Sequence, residues 1–85
     1  MTRTYRYISI PMNWNDSVDL GVVLGRNVQQ FRIAQHINIS TLSRISKISR
    51  PLLAKIEKGE ADVRLSYIER LAYALCVDPL NLLAP

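Results

Sequence analysis

The chain has 85 residues, 48% of them hydrophobic, with a net charge of +4, three glycines and four prolines. That supplies one modest core, excludes two full domains, and argues against a loop-rich or low-complexity chain. Cys76 is the single cysteine and His36 the single histidine, so an internal disulfide is excluded and no zinc ligand set is available.

No cofactor is expected. No run approaches a membrane span, and the N-terminal TRTYRYISIPMN has no apolar core of signal-peptide length. A soluble protein of the reducing cytoplasm, without a membrane partner, is the expectation.

Residues Met1 to Asn13 differ from the rest. TYRYISI alternates and is rich in Tyr and Ile, as strands are, and Pro11 stops the pattern. A lone strand has open edges, so it needs a partner: its own copy in a second subunit or another protein. The alternative is a basic arm whose Arg3 and Arg6 follow a DNA backbone. Residues 1–14 are therefore assigned to an N-terminal strand or arm, and 15–85 to the folded domain. Trp14 is expected to close one end of the core or to meet a dimer partner.

Asn15 or Asp16 caps the first long helix, which runs to about Gln35 with Leu20, Leu24, Val28 and Phe31 as its buried stripe. Gly21 and Gly25 inside it cost about 1 kcal/mol each against alanine. Close helix packing beside Gly25 is the expected compensation.

Asn38 to Gly59, NISTLSRISKISRPLLAKIEKG, reads as two short helices around a bend. The first covers roughly Ser40 to Ser46 and the second roughly Arg50 to Lys58, with Lys47, Ile48 and Ser49 between them. Asn38 and Ser49 are cap-type residues, Pro51 falls where a first turn tolerates it, and Gly59 can end a helix in the left-handed conformation. Leu42, Ile45, Ile48, Leu53 and Ile56 provide the faces to be covered by other helices. This is the outline of a helix-turn-helix.

Charge gathers in the same stretch. Arg44, Lys47, Arg50, Lys55 and Lys58 face Glu57 alone, a local +4, whereas the part before carries +2 and the part after −2. A phosphate-facing surface would have this character, as would an ordinary solvated basic face. Beyond it, Glu60 to Arg64 is a polar connection. Leu65 to Leu75 is an amphipathic helix with Leu65, Ile68, Leu71, Ala72 and Leu75 inward. VDPLNLL is a short last helix, with Asp78 as cap, Pro79 first and Leu80, Leu82 and Leu83 apolar.

From about Leu24 to Leu83 the sequence resembles the lambda-repressor-like, Cro/C1-type helix-turn-helix proteins, or XRE family. LGRNVQQFR is similar to the opening helix of that family, and STLSRISKISRPLLAKIEKGEADVRLSYIERLAYALCVDPLNLL to its other four, including IE-x-G and LA-x-AL-x-V-x-P. The resemblance implies an all-α, five-helix lambda-repressor-like DNA-binding fold and pairs Arg32 with Glu57. Three positions depart from the family pattern. Lys47 stands where glycine is common, Ile39 where a phosphate-contacting glutamine is frequent, and Ser43 where alanine is usual.

A recognition helix enters the major groove N-terminus first. Matched to the motif, Ser49, Arg50, Pro51, Leu52 and Lys55 are the base-facing candidates, with Arg50 suited to a bidentate contact with guanine and Pro51 and Leu52 to a thymine methyl. Asn38, Arg44, Lys47 and Lys58 are cast as backbone clamps. The expected partner is double-stranded DNA, bound as a homodimer on a two-fold-related operator, since one such domain covers too little DNA for tight specific binding. The expected role is a sequence-specific regulator, most simply a repressor or a switch protein of phages, plasmids or restriction-modification loci. The competing role is a protein-binding module, such as an antitoxin or antagonist, that uses its N-terminal strand. An enzyme is disfavoured, because no spacing of Ser, His36 and acidic residues suggests a triad or a metal site.

Overall fold

The computed structural model describes residues 19–85. The readings of TYRYISI, Trp14, Asn15 and Asp16 lie outside the described residues. Five helices follow in order: α1 (Leu20–Ala34), α2 (Ile39–Ser46), α3 (Arg50–Glu57), α4 (Leu65–Leu75) and α5 (Pro79–Leu82). The all-α, five-helix expectation holds for this part of the chain.

α1 begins behind Asp19, whose carboxylate accepts the backbone N–H groups of Gly21 and Val22 at 3.0 and 3.3 Å. This corrects the expected cap at Asn15 or Asp16. A side-chain acceptor on the first free amides decides where the helix starts, and Asp19 supplies it. The stripe shifts accordingly. Val23, Leu24 and Val28 are buried and Phe31 is half-buried, while Leu20 is 54% exposed.

α2 and α3 pack on each other, α1 covers α3, and α4 covers α2. Leu24, Val28, Leu42, Ile48, Leu53, Ile56, Leu71, Leu75 and Leu82 meet in one core. Each fully buried leucine or isoleucine contributes about 1.5–3 kcal/mol, so helices as short as α2 and α3 persist only because α1 and α4 cover them. Two more apolar residues expected inside are, like Leu20, not: Ile45 is exposed, and Leu65 is 76% exposed. In α2 the inward place beside Leu42 falls to Ser46, one turn on, so Ile45 turns outward. Leu65 opens α4, a turn before that helix meets the core.

Two side chains, one in α1 and one at its C-terminal cap, close the back of the domain, and neither was singled out in the sequence. Asn27 Nδ2 donates to the carbonyls of Leu82 and Ala84 at 2.9 and 2.8 Å, with a longer contact to Asn81. Gln35 Nε2 donates to Leu75 O at 2.7 Å, satisfying a carbonyl at the end of α4.

Candidate nucleic-acid interface

Both helices of the bipartite motif are capped as their sequences imply. Asn38 Oδ1 accepts the Thr41 N–H at 2.8 Å, and Ser49 Oγ accepts the Leu52 N–H at 3.3 Å. Pro51 sits in the first turn of α3. α3 ends at Glu57, and Gly59 follows at φ 76°, with Val22 Cα only 3.0 Å from where a Cβ would lie.

The bend between the helices is made without glycine. Lys47 takes φ 62°, ψ 31°, the left-handed conformation, at a cost of about 1–2 kcal/mol for an L-residue. Serines replace what glycine would have made easy. Ser43 Oγ donates to Ile48 O, and the buried Ser46 Oγ accepts the Ile48 N–H at 3.3 Å. Arg70 of α4 donates to Lys47 O at 3.2 Å, and its guanidinium lies 4.7 Å from the centre of the Tyr67 ring. Ser43, Ser46 and Arg70 therefore shape the bend. Ser43 was visible in the sequence only as a departure from the expected alanine, and nothing local marks Arg70, 23 residues away.

On the open side of the motif, Asn38, Arg44, Lys47, Ser49, Arg50, Pro51, Lys55 and Lys58 are all exposed. Leu52 is half-buried against the core, so it offers a partner only part of its side chain. Arg50 Nη1 donates to Ser40 Oγ at 3.2 Å, which holds the start of α3 to the first turn of α2. The rest of its donor fork is not used by that bond.

The charge balance of this face changes on folding. Glu57, the one acid of the Asn38–Gly59 stretch, accepts from Arg32 Nε at 2.7 Å and from Arg32 Nη2 at 3.0 Å. Its side chain is 7% exposed and that of Arg32 15%. The hydrogen bond to Glu57 raises the Arg32 pKa above its ordinary value, against the opposing effect of burial, and the nearby carboxylate charge adds to the rise. Arg32 Nη1 also donates to Ile37 O at 3.1 Å, in the link between α1 and α2. With Glu57 neutralised from behind, the five cations of the stretch face outward without their own counter-charge.

A family model of the Cro/C1-type helix-turn-helix DNA-binding domain matches residues 27–84. The chain belongs to the Cro/C1-type helix-turn-helix family. A hypothetical transcription factor from Neisseria meningitidis serogroup B is 31% identical over 78 residues, covering 92% of this chain and 74% of that protein. The crystal structure of a hypothetical transcription factor from Neisseria superposes with a TM-score of 0.77 at 31% identity, over 92% of this chain and 90% of that one. The restriction-modification controller protein C.AhdI from Aeromonas hydrophila is similar at a TM-score of 0.71 and 31% identity, over 73% of this chain and 94% of that one.

Within this Cro/C1-type chain, the Arg32–Glu57 pair implied by the resemblance is present, and the non-glycine bend does take positive φ. Lys47→Gly is expected to raise stability, by up to about 1 kcal/mol, as strain is relieved and partly offset by the greater freedom of the unfolded chain. Urea unfolding checks this. A loss of stability would mean that the serines and Arg70 have already relieved the strain.

Proposed function

We propose that this chain is a sequence-specific transcriptional repressor that binds a two-fold-related operator as a homodimer, with α3 in the major groove. The observation that carries the reading is the exposed cationic face of α2 and α3, whose single acid is held by Arg32 on the opposite side. Arg50, Lys55, Ser49, Pro51 and the open part of Leu52 read base edges. Asn38, Arg44, Lys47 and Lys58 hold phosphates, acting with the amides at the start of α2. The similarity to a restriction-modification controller protein supports a regulatory role. Leu82 is fully buried in the core, whereas Leu80 of α5 and Tyr73 of α4 are exposed and available to a second copy.

Selection of bound sites from a random duplex pool at two salt concentrations tests this, with the solution mass recorded alongside. The expected result is an enriched palindrome, a dimer, and affinity that falls steeply with salt. Arg50→Ala should relax preference at one base pair by about 1–3 kcal/mol of discrimination. Lys58→Ala should weaken all sequences alike and lower the salt slope by about 1. An unchanged selected site in Arg50→Ala would remove the base contact from the proposal, and no enrichment would remove the operator.

A further inference from the structure

We propose that the groove between the start of α1 and the α3–α4 connection is the seat of this chain's own N-terminal segment, with Trp14 as the anchor. The groove has a volume of about 530 Å³. Leu24 and Ile68 form its floor, and Leu20, Leu65 and Leu83 its apolar walls. Leu20 and Leu65 are more than half exposed, an unusual position for two leucines facing one depression. The wall at Leu83 is already held in place, because Asn27 grips the carbonyls on either side of it.

Three observations select this occupant. The first is continuity: Asp19, the first described residue, itself lines the groove, so the preceding segment starts at its mouth. The second is reach. Five residues separate Trp14 from Asp19, about 17 Å of fully extended chain, so the groove is within reach of its indole. Its neighbours Tyr5, Tyr7, Ile8, Ile10 and Met12 are of the kind that covers apolar walls. The third is charge. The charged residues lining the groove are Asp19, Glu60 and Asp62, all acidic, whereas the first fourteen residues carry Arg3 and Arg6 and no acid. Asp19 is committed to its cap, so Glu60 and Asp62 are the groups that would face those arginines.

Seating the segment here buries the walls that no described element covers. It also lays the segment against the connection that follows Lys58 and Gly59, behind the open face of α3. The N-terminal segment then acts within its own chain and does not require another protein.

Trp14 is the sole tryptophan, so its fluorescence reports on the groove directly in the full chain. Emission and acrylamide quenching are compared for the wild type, Leu65→Glu and Ile33→Lys over a range of protein concentrations, with far-UV circular dichroism as the control for folding. Leu65 is exposed in the first turn of α4, where an added carboxylate suits the helix, so the variant keeps its fold. Ile33 is exposed near the far end of α1 and does not line the groove. The expected result is a blue-shifted, poorly quenched Trp14 in the wild type and Ile33→Lys at every concentration, and a red-shifted, readily quenched one in Leu65→Glu. A water-exposed Trp14 in the wild type, or one still shielded in Leu65→Glu, would overturn the proposal. Shielding that disappears on dilution would also overturn it, in favour of a second copy as the occupant.

Discussion

Arg32→Ala should unfold this domain at much lower temperature, with a loss of about 3 kcal/mol, the lower end of the range for breaking a buried pair. The substitution leaves the Glu57 carboxylate, 7% exposed, without two charge-assisted hydrogen bonds, and strips Ile37 O of its donor. In a domain of this size that corresponds to a fall in Tm on the order of 10–20 °C. The double variant Arg32→Met, Glu57→Leu should lose less than Arg32→Met alone, because no uncompensated charge is left behind. Thermal and urea unfolding of the set would decide. A loss below about 1 kcal/mol would place the pair among ordinary surface ion pairs.

The pH behaviour of that pair has a defined sign on the arginine side. The folded Arg32 pKa is raised, so its contribution is fully present below the unfolded arginine value and is lost only as pH climbs through the folded one. Titration of Arg32 therefore adds no pH dependence in the neutral range.

Gly25→Ala is expected to destabilise by about 2 kcal/mol, even though alanine is the better helix former by about 1 kcal/mol. A Cβ on Gly25 would run into Ile56 O, with Glu57 O at 3.0 Å. Both are backbone atoms of α3, so no side-chain rotation relieves the clash. Gly21→Ala is the contrasting case. Its Cβ would meet Asp19 Oδ1 at 3.3 Å and nothing else closer than 3.8 Å, so it should be neutral or gain up to about 1 kcal/mol. Urea unfolding of the two variants should give opposite signs, or at least a clear loss for Gly25 alone. Equal effects would mean that α1 and α3 are not in backbone contact at this point. The close approach at Gly25 and the Arg32–Glu57 pair together hold α3 against α1.

Much of the fold was legible in local sequence. The ends of α2, α3 and α5 fall within a residue of their expected places, because caps, prolines and Gly59 act on the nearest backbone amides and carbonyls, and α4, which has no side-chain cap, matches on its apolar spacing. The Arg32–Glu57 pair and the strained bend at Lys47 were implied by the family resemblance alone, since no local pattern couples residues 25 apart. The start of α1 was misplaced because Asn15, Asp16 and Asp19 are equally good caps in isolation. Ile45 and Leu65 were assigned to the core for a related reason: apolar character at a helical spacing does not reveal whether a neighbouring element reaches that turn. His36 and Cys76 take positive φ, as Lys47 does, at the ends of α1 and α4 without glycine to announce it.

By itself the sequence determined the order of the helices, the caps of α2, α3 and α5, the concentration of cations between Asn38 and Gly59, and the absence of a second cysteine. These follow from interactions within a few residues and from composition. The close packing expected at Gly25 is present, but only the tertiary structure decided which carbonyls of α3 it meets, which apolar residues are covered, that Asn27 and Gln35 secure the C-terminal helices, and that Arg70 reaches the bend. Those outcomes depend on which elements meet in space, and burial or a long-range hydrogen bond exists only once they have met.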